Sequence, residues 1–137
     1  MREMITYLTF NGNARQAMEF YKECLGGELF MMPFSEAPGD FPKEAKDRIM
    51  HATLRNGAVA LMASDAMPGM PFQQGTNFSI SVVPESVEEE EKLFTAVAKN
   101  GKITMPLQDT FWGAHFGMVT DQFGIQWMFN LEKGKNG

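Results

Sequence analysis

The stretch ITYLTFNGNARQAMEFYKECLGGELFMM, residues 5–32, holds a complete strand–helix–strand unit, and its reading decides the fold. Residues 5–10 are β-branched, aromatic and aliphatic, a composition that suits a pleated, half-buried surface. Asn-Gly-Asn-Ala at 11–14 ends that run. Asn13 is a favourable N-cap, and Gln16 stands at the capping-box position. Ala17, Phe20, Tyr21, Cys24 and Leu25 then recur at helical spacing, which predicts one apolar stripe. Gly26-Gly27 stops the helix, because glycine accepts the left-handed C-terminal conformation. ELFMM, 28–32, reads as the second strand.

Outward from this unit the chain continues through a Pro- and acid-rich loop, 33–47. RIMHATL (48–54) and AVALMAS (58–64) follow as strands, with Asn56-Gly57 as a hairpin signal between them. The second half repeats the order. FSISVV (78–83) is a strand, Ser86 and Glu89 form a capping box, and Asn100-Gly101 closes a helix. Val87, Phe94, Val97 and Ala98 supply its apolar stripe. Glu88 to Glu91 sit in the first turn, where the helix dipole favours negative charge, and read as solvated acids without a metal. KITMPL (102–107), HFGMVT (115–120) and IQWMFN (125–130) complete the strands.

The predicted fold is therefore α+β. Two βαβββ modules, about 1–65 and about 77–133, form one domain over residues 1–137. Their eight strands are expected to make an incompletely closed, barrel-like sheet with the helices outside, enclosing a concavity between the modules.

Composition narrows the partners. With 12 basic against 17 acidic residues the net charge is -5, and no basic cluster stands out, which argues against a nucleic-acid partner. No apolar run is long enough to cross a bilayer, so no membrane partner is expected. The single cysteine, Cys24, excludes an intrachain disulfide; it is expected to be buried and inert, and a cytoplasmic location is expected. Twelve methionines and twelve phenylalanines suit both cores and adaptable ligand surfaces.

Three segments, YLTFNGNARQAMEFYKECLGGEL, IMHATLRNGAVALMASD and DTFWGAHFGMVTDQFGIQWMF, together with the module order, resemble the PhnB-like branch of the vicinal-oxygen-chelate superfamily. That superfamily includes glyoxalase I, bleomycin-resistance proteins and extradiol dioxygenases. The resemblance implies a divalent metal held by His and Glu side chains, two from each module, on the first and last strands. Here those strands offer Thr6 to Phe10, Leu61 to Ala63, Phe78 to Ser81 and, four residues after the Asp121–Gly124 turn, Met128. None is a His, Glu or Asp, and a neutral, soft thioether does not replace a carboxylate. No metal and no cofactor are predicted. Some members of the branch carry a methyltransferase label, yet no Gly-rich strand-to-helix turn is present to cradle a nucleotide-like cofactor.

The concavity is expected to bind a small apolar or aromatic molecule. Tyr7, His51 and Met62 are assigned to it from the first module, and Trp112, His115, Trp127 and Met128 from the second. His51 is either a core histidine bonded to a neighbouring strand or a pocket donor and base. Trp112 either caps the open edge or stacks on a flat ligand, with Gly113 allowing close approach. Asp109 either orients His115 or caps a turn, and Asp65 is expected to bond its own loop backbone. His51 and His115 are the candidates for catalysis in the alternative reading, a glyoxalase-type lyase, transferase or dioxygenase acting on vicinal oxygens. The resemblance also implies a homodimer.

Overall fold

A computed structural model describes residues 1–133 as two compact units, Met1–Gln74 and a second beginning at Gly75. The break falls inside the segment left between the two expected modules. The first unit contains β1 (Thr6–Phe10), α1 (Ala14–Leu25), β2 (Glu28–Pro33), two short 3-10 turns, β3 (Ile49–Asn56) and β4 (Val59–Asp65). The second contains β5 (Ile80–Val82), α2 (Val87–Ala98), β6 (Lys102–Asp109), β7 (Ala114–Thr120) and β8 (Gln126–Glu132). The paired βαβββ order is as expected. The strands hydrogen-bond as two four-stranded mixed sheets, ordered β1-β4-β3-β2 and β5-β8-β7-β6, and among the described residues no barrel closes. In each, the first strand lies parallel to the last and the remaining pairs are antiparallel.

The first unit packs α1 on one face of its sheet. Ala14, Ala17, Met18 and Tyr21 are fully buried there. Beneath them, register places Leu8 beside Ala63 and Ala63 beside Ala52, with Leu54 opposite Leu61. All five are buried, and a fully buried Leu contributes about 1.5–3 kcal/mol. Cys24, expected in the stripe, is only half-buried; Met18 takes the central place.

The start of α1 departs from the expected capping box. Asn13 occupies the N-cap, but its side chain makes no cap bond. The carboxylate of Asp65 does the work instead. Its Oδ1 accepts from the N–H groups of Gly12 and Ala14, at 2.9 and 3.0 Å, and its Oδ2 accepts from Ile49 at 2.8 Å. Asp65 thus ties the end of β4 to the start of α1 and of β3, and does not simply bond its own loop. In α2 the box forms: Ser86 Oγ accepts from Glu89 N–H, and Glu89 accepts from Glu85 N–H.

Two other boundaries shift for local reasons. Asn56 is the last paired residue of β3 rather than a turn residue, opposite Val59, and its amide donates to the Leu25 carbonyl at the end of α1. β5 is three residues long because Gln126 Nε2 donates to the Thr76 and Phe78 carbonyls, replacing ladder bonds. At the α1–β2 junction Gly27 (φ 102) is required, since a Cβ would lie 2.4 Å from the Arg55 carbonyl oxygen.

The second unit buries Phe94 and Val97 of α2 over Val119, Trp127 and Phe129. Phe94 meets Phe129 edge-on at 5.4 Å. β6 is a sheet edge with an irregular register around Pro106, which has no N–H to give a ladder.

Candidate functional site

Strand alternation sends consecutive side chains to opposite faces of each sheet. In the first unit Leu8 and Phe10 go under the helix, so Tyr7 and Thr9 stand on the helix-free face. Register then aligns Tyr7, Met62, Thr53 and Phe30 in one row across β1, β4, β3 and β2. His51 and Met32 form the next row. Tyr7 is 49% exposed and Phe30 56% exposed, so this face is open to solvent.

His51 is held between two hydroxyls. Tyr7 Oη lies 3.3 Å from Nδ1, and Thr53 Oγ1 lies 3.0 Å from Nε2. The Tyr7 and His51 rings are also near-parallel, with centroids 5.9 Å apart. The structure thus brings Tyr7, His51 and Met62 to one face and adds Thr53, which the sequence reading did not single out. Spacing alone carried that signal, because residues 51 and 53 of one strand share a side. Two residues on, Arg55 is closed by a bidentate pair with Glu3, at 2.7 and 3.2 Å. The bond from the guanidinium holds the Glu3 carboxyl below its ordinary value, and the same pairing raises Arg55.

In the second unit the helix-free face carries a row of thioethers, with Met105 opposite Met118 and Met118 opposite Met128. Ser81 is paired with Met128 from the β5 side. Phe116 lies opposite Asn130, and Trp112 packs edge-on against Phe116 at 5.7 Å. Phe111 meets Trp112 at 5.1 Å and is itself wholly exposed.

Trp127 and His115 turn the other way. Trp127 immediately precedes Met128 and is 1% exposed on the α2 side, its indole N–H donating to Asp121 Oδ2 at 2.8 Å. His115 immediately precedes Phe116 and faces α2, where its Nδ1 lies 2.5 Å from Glu90 Oε1. Neighbours on a strand cannot both line one face, so these two belong to the helix layer, not to the face bearing Met128 and Phe116. Glu90 is fully buried, and its second oxygen has no hydrogen-bond partner. The reading of Glu88 to Glu91 as a solvated run therefore fails at this one residue. The overlooked signal was spacing, since 90, 94 and 97 fall on the buried stripe. Asp109 does not orient His115. It accepts from Lys133 Nζ at 2.9 Å, a bond that holds its carboxyl below the ordinary value.

The groups that the resemblance implies do not match the residues present. On the helix-free faces, the first and last strands offer the pairs Tyr7–Met62 and Ser81–Met128. A phenol, a hydroxyl and two thioethers are a poor donor set for a borderline or hard divalent ion, which selects imidazole and carboxylate. A nucleotide-like methyl donor fares no better at the strand-to-helix turns. At the first turn Asp65 takes the N–H groups of Gly12 and Ala14, and at the second Ser86 and Glu89 take those of Glu89 and Glu85.

Residues 2–129 match the sequence profile of the family described as 3-demethylubiquinone-9 3-methyltransferase. The protein YjdN of Escherichia coli (strain K12) is 38% identical, over 93% of each chain. Among solved structures, protein PA1353 from Pseudomonas aeruginosa is similar at 47% identity and a TM-score of 0.88, covering 97% of this chain and 99% of that one. A PhnB protein from Bacillus cereus is similar at 28% identity and a TM-score of 0.77, covering 95% and 99%.

Proposed function

From the premise that the chain belongs to the PhnB-like, 3-demethylubiquinone-9 3-methyltransferase family, we propose that it binds a small apolar or aromatic molecule without the superfamily's usual metal. One observation carries the reading. The strand positions implied as metal ligands hold Tyr7, Met62, Ser81 and Met128, on sheet faces that the helices leave free. Thioethers and aromatic rings adapt to irregular apolar shapes, and a few polar groups among them orient a ligand. In the first unit Tyr7 and Met62 supply such a face, with His51 as its polar anchor. In the second, Met118, Met128, Phe116 and Trp112 supply another. The methyl transfer in the family's description is not adopted for this chain, because it has no Gly-rich strand-to-helix turn to cradle a nucleotide-like donor. A cytoplasmic setting is proposed with the same reading, from the lone cysteine.

The test is a thermal-shift screen of small aromatic compounds on protein purified without chelators, with elemental analysis of the same sample. A ligand at one hundred times its Kd stabilises by about 2.7 kcal/mol, a shift of several degrees for a chain of this size. The expected result is such a shift, cancelled by Met128→Asp, with no stoichiometric metal. A panel that leaves the melting temperature unmoved, or a bound first-row ion at one per chain, overturns the reading.

A second reading is favoured by the placement of His51 on the helix-free face, where an imidazole between two hydroxyls is suited to acid–base work. It makes the chain a glyoxalase-type lyase, transferase or dioxygenase. Turnover of a substrate with vicinal oxygens that vanishes in His51→Ala would establish it.

A further inference from the structure

The row Tyr7–His51–Thr53 has a property that follows from counting its hydrogens. A neutral imidazole carries one N–H, and the partner of each nitrogen here is a hydroxyl, which both donates and accepts. With the proton on Nε2, the ring donates to Thr53 Oγ1 and its Nδ1 accepts from the Tyr7 hydroxyl. The Thr53 hydroxyl hydrogen is then left over. With the proton on Nδ1, the ring donates to Tyr7 and accepts from Thr53, and the Tyr7 hydrogen is left over. In either tautomer the trio retains one uncommitted O–H, and moving the ring proton moves that O–H from one end of the row to the other.

We infer that this trio is an adaptable donor for an uncharged acceptor oxygen, and that the ligand is an aromatic or apolar molecule bearing a carbonyl. The inference rests on the binding reading above and deepens it. Three observations select the carbonyl. The leftover hydrogen must be satisfied once a ligand displaces water from Tyr7, so the ligand has to offer a lone pair there. The nearest cation on the same strand face, Arg55, is closed by both oxygens of Glu3 and has no free fork for a carboxylate. The flanking residues in register, Met62 and Phe30, are apolar and suit the rest of such a molecule.

The experiment compares acetophenone with ethylbenzene, which have nearly the same shape and differ in the carbonyl oxygen, by isothermal titration. One added neutral hydrogen bond predicts roughly three- to tenfold tighter binding of the ketone. Tyr7→Phe and Thr53→Val each leave one hydroxyl to serve, so each single variant keeps part of that preference. In the triple variant Tyr7→Phe/His51→Phe/Thr53→Val, which also removes the imidazole N–H, the ratio of the two affinities falls to one. Nitrogen-15 shifts of His51 should also move toward one tautomer on adding acetophenone. Equal affinity for the two probes overturns this inference and leaves the binding reading intact. So does a preference that survives in the triple variant, or one that a single hydroxyl substitution abolishes, since the donor is then elsewhere or fixed. If neither probe binds, both readings fall.

Discussion

His115 and Glu90 form a polar pair inside the layer between α2 and its sheet. Glu90 is a carboxylate with no exposure, and the imidazole is its hydrogen-bond partner. Removing one member of a buried pair leaves an uncompensated polar group, whereas replacing both with apolar residues is close to neutral. His115→Ala is therefore expected to destabilise by about 3–5 kcal/mol, read from urea midpoints at pH 7. The double change His115→Leu with Glu90→Leu should recover most of that loss. A single variant with an unchanged midpoint would show that the contact holds nothing together. This pair also marks where sequence reading ran out. Glu90 carries the same letter as three neighbours, and only the helical phase of Phe94 and Val97 separates it from them. Likewise Trp127 and Met128 are consecutive in sequence, and parity alone decides that one is core and the other surface.

The elements themselves were legible because local chemistry and tertiary packing agree. Alternating strands, Gly-terminated helices and the Ser86–Glu89 box all appear where the side chains call for them. The start of α1 was not legible, because its cap comes from Asp65, 51 residues beyond Ala14. No window of local sequence contains that partner. The two helices thus make a controlled comparison. Ser86→Ala should cost about 1 kcal/mol, as expected of a lost N-cap bond, while Asn13→Ala should cost much less. Chemical denaturation of the two variants side by side checks this, and equal losses would contradict the assignment of the first cap to Asp65.

At the scale of the molecule, the duplicated βαβββ plan was readable from two rounds of the same strand and helix signals. The ligand was not, because the plan is shared by proteins of different function, and function lies in the few side chains grafted on it. No helix among the described residues is long and apolar enough to cross a membrane. Exposed aromatic surface such as Phe111 and Trp112, together with the pairing implied by family resemblance, leads us to propose a homodimer. Native mass spectrometry at micromolar concentration should give twice the chain mass of 15.4 kDa, and a monomer there would refute it.

The aligned sulfurs of Met105, Met118 and Met128 carry a liability of their own. Peroxide converts a thioether to a sulfoxide, which is polar and chiral where the parent group was greasy and pliant. Three such conversions along one row would make the surface hydrophilic while leaving the helix layer beneath intact. A folded protein would remain, stripped of the face that the proposed ligand needs until a sulfoxide reductase restored it.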